Sequence, residues 1–139
     1  MQHHKRHKHD IVIVIALAAF GLSLYLAITK YLGYAVPCDI TKGCEVVLSS
    51  KYSELFGLPL AVWGVVFYTS VVVSALLANH YVVFKRILTA ILSLGGVAAI
   101  VFLSIQFFLL HKVCQYCLIT DAIAIILLLW DLNIEHYEL

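Results

Sequence analysis

Apolar residues come in four long runs with little polar interruption, at Ile11 to Thr29, about Pro59 to Ala78, Ile87 to Leu110 and about Val113 to Trp130. A hydrocarbon core of about 30 Å takes roughly 20 helical residues to cross, so each run is long enough, or nearly so, to span a bilayer. The fourth is interrupted in its first half by Gln115, Thr120 and Asp121 and continuous from Ala122 to Trp130. Membrane strands alternate polar and apolar positions over about ten residues, and these runs do not. Helices, which satisfy their own backbone in lipid, are the remaining solution. The pattern predicts an all-α integral membrane protein: a single four-helix bundle over residues 11–131, with a loop between helices 1 and 2 and tails at 1–10 and 132–139.

Composition narrows the class further. Of 139 residues, 63% are hydrophobic and 12% charged, against about 25% charged in a soluble domain. A soluble globule or a disordered chain is excluded, because neither could keep so much apolar surface out of water. With a net charge of +1 and nine basic residues that form no stripe, nucleic acid is not an expected partner; membrane lipid is. The first run is longer than a signal-peptide core and continues into Thr29, Lys30 and Tyr31, so it reads as a retained helix. Lys5, Arg6 and Lys8 precede it, and Lys85 and Arg86 fall on the same face of a four-pass bundle. By the positive-inside rule that face is cytoplasmic, with both termini. Lys30, Lys42, Lys51 and Lys112 lie on the other face, so the orientation rests on the flank of helix 1. His3, His4, His7 and His9 read as part of that basic anchor rather than as a metal tract, and no metal is expected.

This topology brings the four cysteines to one membrane face. Cys38 and Cys44 lie in the loop between helices 1 and 2, and Cys114 and Cys117 where the chain enters helix 4. The face is extracytoplasmic, where disulfides persist. A Cys-X-X-Cys at a helix start puts its first thiol near unsatisfied backbone N–H groups, which favours the thiolate. No His follows Cys117, so the haem-attachment pattern is absent. The loop that carries Cys38 and Cys44 holds Pro37 and Gly43, and Lys42 favours thiolate there. Four readings stand open: a relay of two dithiols, two static disulfides, one structural zinc, or unconnected apolar fillers. The spacing suits zinc poorly, and a shared face argues against fillers.

Cys44, then Ser50, then Gly57-Leu58-Pro59 and Trp63-Gly64 entering helix 2, and Cys114-Gln115-Tyr116-Cys117 opening the last helix together resemble the vitamin K epoxide reductase family, in particular its prokaryotic disulfide-forming branch. The resemblance covers nearly the whole chain after the N-terminal tail. It implies a bundle around a quinone of the ubiquinone or menaquinone type, with Cys38 and Cys44 as the loop pair, Cys114 and Cys117 as the active-site pair, and Ser50 near the ligand. Asp121 stands where animal members have a tyrosine, and Leu60 roughly where they have an asparagine. Both departures disfavour a naphthoquinone epoxide as substrate. Prokaryotic members often carry a fused thioredoxin-like domain; here the chain ends at Leu139, and a separate thioredoxin-like partner on the extracytoplasmic side is expected.

The function expected on this basis is a membrane thiol:quinone oxidoreductase that oxidises such a partner and so drives disulfide formation in exported proteins. The alternatives are a vitamin K quinone or epoxide reductase and, from another class, a non-enzymatic scaffold with structural disulfides. Asp121, an ionisable group one turn past Cys117, is a candidate proton relay or a shallow polar cap. Trp63 and Phe67 are candidate quinone contacts or plain packing.

Overall fold

Residues 2–33, 51, 54–111 and 114–138 are described by the structure, a computed structural model, with side chains described at 9–33, 51, 54–111 and 114–133. Cys38, Cys44 and Ser50 lie outside the described residues.

Helix α1 runs Gln2–Leu32, through the stretch expected as a tail. No glycine or proline occurs before Gly21, so nothing stops the helix where the apolar run begins. It ends at Gly33, whose φ of 77° gives the left-handed cap that glycine adopts without strain. A two-residue hairpin precedes helix 2, with β1 (Glu54–Leu55) antiparallel to β2 (Leu58–Pro59). Its turn residues, Phe56 at φ 55° and Gly57 at φ 80°, have the paired positive φ of a primed hairpin turn.

Helix α2 (Leu60–Ala78) follows directly from Pro59, and α3 begins at Val82. Lys85 and Arg86 therefore lie inside the opening turns of α3 and not in a connection between helices. The link is this short because His80 and Tyr81 both donate their N–H groups to the Leu77 carbonyl, at 3.0 and 2.9 Å. Helix α3 (Val82–Ser104) continues as a π-helical segment, Ile105–Leu110. Helix α4 runs Gln115–Glu138, past Trp130 into the second expected tail, again with no glycine or proline to end it.

Among the described residues, four helical stretches are long and apolar enough to cross a membrane: His9–Leu32, Leu60–Ala78, Val82–Leu110 and Gln115–Asn133. They close into a bundle in which α1 packs on α2 and α4, and α3 packs on α2 and α4. Val12, Ala16, Ala19, Tyr68, Val71, Ala75, Leu88, Leu92 and Leu127 form the centre. On α1 the buried positions Val12, Ala16, Ala19, Ser23 and Leu26 recur at helical spacing. The opposite faces expose Val14, Leu17, Val66, Val73, Leu94, Val97 and Leu129, apolar surface of the kind that membrane-spanning helices turn to lipid. Gly95 and Gly96 permit the close packing of α3: a Cβ at Gly95 would lie 2.2 Å from the Phe67 ring, and one at Gly96 would lie 2.6 Å from Leu128. At the end away from Cys114, Thr89 Oγ1 donates to the buried Asp131 carboxylate at 2.6 Å.

Candidate active site

The site is built where α3 hands over to α4. The buried stripe of α3 runs Leu88, Leu92, Gly96, Ala99 and, on the same helical phase, reaches Gln106, which is 3% exposed. Its neighbours Phe107, Phe108 and Leu109 face outwards. The π-helical turn closes when His111 donates its N–H to the Gln106 carbonyl. His111 then takes a left-handed conformation, φ 53° and ψ 23°, which turns the chain back towards the bundle.

The chain re-enters the bundle at Cys114, fully buried. Its backbone N–H donates to Gln106 Oε1 at 2.9 Å, and its carbonyl accepts the first bond of α4, from Leu118 N–H at 2.8 Å. Cys114 is thus the N-cap of α4. The N–H of Cys117, the third helical residue, donates to Cys114 Sγ at 3.4 Å. A serine N-cap satisfies the same orphan amide with its hydroxyl; here sulfur does so. The Cys-X-X-Cys spacing is therefore the spacing from N-cap to third helical residue. Both thiols are free.

This position changes the chemistry of Cys114. The hydrogen bond from the Cys117 thiol, together with the backbone N–H groups of Cys117 and Tyr116, outweighs burial and holds the Cys114 thiol down at about 7. The pair is a nucleophile that ionises near neutral pH beside a resolving thiol, the arrangement that thiol–disulfide exchange requires.

Deeper along α4, Thr120 Oγ1 donates to the Cys117 carbonyl at 3.0 Å. The buried Tyr68 of α2 donates its phenol to the Thr120 carbonyl. Asp121, half-buried, follows on the Cys117 side of the helix. From α1, Tyr25 meets Tyr116 edge-on with ring centroids 6.0 Å apart. The structure thus brings together Cys114, Cys117 and Asp121, with Gln106 and Tyr68 in support.

The two aromatic candidates have contacts of their own. Trp63 Nε1 donates to the Leu55 carbonyl of the hairpin at 3.0 Å, and its indole meets Phe56 edge-on at 6.2 Å. Phe67 fills the notch at Gly95 and stands edge-on to Tyr68 at 4.8 Å. Among the described residues no three His, Cys, Asp or Glu side chains gather as a metal site. Gln106 was not singled out from the sequence, although it carries a signal: it is the lone amide in the third apolar run, seven residues after the buried Ala99 and eight before Cys114.

Fold and site together define a multi-pass membrane oxidoreductase with a helix-capping dithiol at one end of its bundle. The chain belongs to the vitamin K epoxide reductase family: the family model matches residues 11–132, which include all of the bundle core and the Cys114–Cys117 pair. The resemblance drawn from the motifs is confirmed by that match.

Proposed function

We propose that the protein is a thiol:quinone oxidoreductase that withdraws electrons from a thioredoxin-like partner outside the cytoplasm. The observation that carries the reading is the dithiol at the N-cap of α4, with Cys114 poised as thiolate and Cys117 one turn deeper. The partner's two thiols reduce a Cys38–Cys44 disulfide and leave as a disulfide. Cys44 then attacks the Cys114–Cys117 disulfide at Cys114. The mixed disulfide resolves through Cys38, which regenerates the loop disulfide and leaves Cys114 and Cys117 as thiols.

Family membership implies a quinone, and the residues present fit one. A thiol and a carboxyl group, Cys117 and Asp121, stand one turn apart on a helix whose neighbouring surfaces are apolar. The bound quinone supplies the oxidising power, accepting two electrons and two protons. In this reading Asp121 holds a proton for that reduction, Ser50 donates a hydrogen bond to the ligand, and Trp63 and Phe67 contribute ring surface. Phe67 has the better support, because it adjoins Tyr68 and so the Thr120–Asp121 turn.

The test mixes purified protein with a reduced thioredoxin-like protein and a panel of ubiquinone, menaquinone and vitamin K epoxide, and follows ligand absorbance. Ubiquinone or menaquinone reduction that is lost on changing any one cysteine to alanine is expected. Full activity of Cys38→Ala and Cys44→Ala towards the protein substrate overturns the relay, and reduction of the epoxide alone indicates the other family chemistry. Sidedness is read separately with a membrane-impermeant maleimide on intact cells: labelling of reduced Cys38 and Cys44 is expected, and labelling only after lysis reverses the orientation.

A further inference from the structure

Gln106 accepts a hydrogen bond at each of its two oxygens from the two ends of the connection between α3 and α4. Its main-chain carbonyl takes the His111 N–H, and its side-chain Oε1 takes the Cys114 N–H at 2.9 Å. An amide facing the interior of an apolar membrane helix is costly unless it is bonded, and polar residues kept in such places are functional candidates. A residue that only glued helices together would bond to a side chain or a helical carbonyl of its neighbour. Gln106 instead bonds the backbone of the cysteine itself, at the one residue whose conformation decides whether Cys114 caps α4.

We propose that Gln106 is a positioning residue for the dithiol: by clamping the Cys114 backbone it keeps Sγ over the N-terminal amides of α4. The proposal rests on the reading of Cys114 as the sulfur that exchanges with Cys44 and leaves as a thiolate when Cys38 resolves the mixed disulfide. An N-cap residue contributes no intrahelical N–H bond, so nothing within α4 would hold the Cys114 amide if Gln106 let go. Its backbone could then leave the cap conformation. Sγ would lose the Cys117 N–H at 3.4 Å, and with it one of the backbone hydrogen bonds that favour its thiolate. Among the described residues, the other titratable groups near Cys114 are Cys117, Tyr116 and Asp121 on α4 and His111 in the connection, with Tyr25 of α1 behind Tyr116 and Tyr68 of α2 beside Asp121. Gln106→Met replaces none of them.

The test uses reduced, full-length protein in detergent micelles and needs neither quinone nor partner, so it stays readable whether or not the relay stands. Two readouts are taken: amide hydrogen exchange in ¹⁵N-cysteine-labelled protein, and the pH dependence of iodoacetamide alkylation at Cys114, followed by mass spectrometry. The wild-type Cys114 amide is expected to exchange slowly. Gln106→Glu, which keeps an acceptor at the same reach, preserves that protection, and Gln106→Met, similar in size without the acceptor, loses it. In folded Gln106→Met the alkylation midpoint moves up by about one pH unit, so that Cys114 reacts several-fold more slowly near pH 7, approaching tenfold below it. Alkylation of Cys38 and Cys44 is unchanged. A wild-type Cys114 amide that exchanges as fast as an exposed one overturns the proposal, and this measurement decides it even if Gln106→Met fails to fold. So does a folded Gln106→Met whose thermal stability falls while its Cys114 midpoint stays at the wild-type value, the signature of a purely structural residue.

Discussion

Replacing Cys117 with alanine removes the largest single influence on the Cys114 thiol. Lowering a thiol from 9.0 to about 7 amounts to about 3 kcal/mol in favour of the thiolate. The Cys117 thiol leads that effect, ahead of the backbone N–H groups of Cys117 and Tyr116, while burial opposes all three. A hydrogen bond to a charged group contributes roughly 1.5 to 3 kcal/mol, or about one to two pH units. Cys117→Ala should therefore raise the Cys114 midpoint from about 7 to about 8 or above; the backbone N–H at 3.4 Å remains and keeps the rise in check. Below its midpoint the group is an unreactive thiol and above it a thiolate. The alkylation rate of wild-type Cys114 thus climbs through pH 7 and is nearly flat by about pH 8, whereas that of Cys117→Ala is still climbing there. At pH 7 the variant reacts at about one-fifth of the wild-type rate, and the two converge at high pH.

Cys117→Ser separates hydrogen bonding from other effects of the change. Its hydroxyl can donate to Cys114 Sγ as the thiol does, so its midpoint should stay much closer to the wild-type value than that of Cys117→Ala. The assay is site-resolved alkylation of the reduced protein across pH 5 to 10. If Cys117→Ala keeps the wild-type midpoint within a few tenths of a unit, or if the alanine and serine variants coincide well above it, the Cys117 thiol does not set the reactivity of Cys114.

Four further outcomes follow from contacts elsewhere. Gly95→Ala drives a methyl into the Phe67 ring and should destabilise the bundle by about 1 to 3 kcal/mol, read as a lower melting temperature in micelles; Gly21→Ala, with nothing within 4 Å, should not lower it. Tyr68→Phe removes the phenol bond to the Thr120 carbonyl and should cost about 0.5 to 1.5 kcal/mol by the same measurement. Thr89→Val takes the 2.6 Å bond from Asp131 at the far end of the bundle; it should lower the melting temperature while Cys114 alkylation is unchanged, and a shifted midpoint would show coupling between the ends. Asp121→Asn should slow quinone reduction while leaving thiol exchange with the protein partner at its wild-type rate, and equal quinone turnover would remove Asp121 from the proton path.

What the sequence could tell depended on whether lipid or local capping decides the structure. The four spans are legible because the length of an apolar run is a direct demand of bilayer thickness. The helix ends are not, because they lie where hydropathy no longer constrains the backbone: α1 reaches back to Gln2 and α3 begins at Val82. The hairpin at Glu54–Pro59 is too short to show a strand period, and only Gly57 marks its turn. At the site, the Cys-X-X-Cys together with the start of the fourth apolar run placed a dithiol at a helix start. The role of Gln106 was hidden because its acceptor reaches across a π-helical turn to another helix, a pairing that no local pattern encodes. Trp63 and Phe67 show a different limit: an aromatic ring near a site looks the same in sequence whether it meets a ligand, a hairpin carbonyl or a glycine notch.

The two ends of the bundle are tied in different ways, and the difference suits a redox centre. Away from the thiols, Thr89 and Asp131 bond side chain to side chain, so the link depends on the chemical state of both groups. At the thiol end three hydrogen bonds run from side chain to backbone: Gln106 with the Cys114 N–H, Tyr68 with the Thr120 carbonyl, and Thr120 with the Cys117 carbonyl. None of these three bonds uses a sulfur atom. A change at the sulfur of Cys114 or Cys117 therefore breaks none of the three directly. The cap bond from Cys117 N–H to Cys114 Sγ senses the state of the sulfur, as does the bond from the Cys117 thiol. It strengthens when that sulfur is charged, which favours the ionised form needed for exchange.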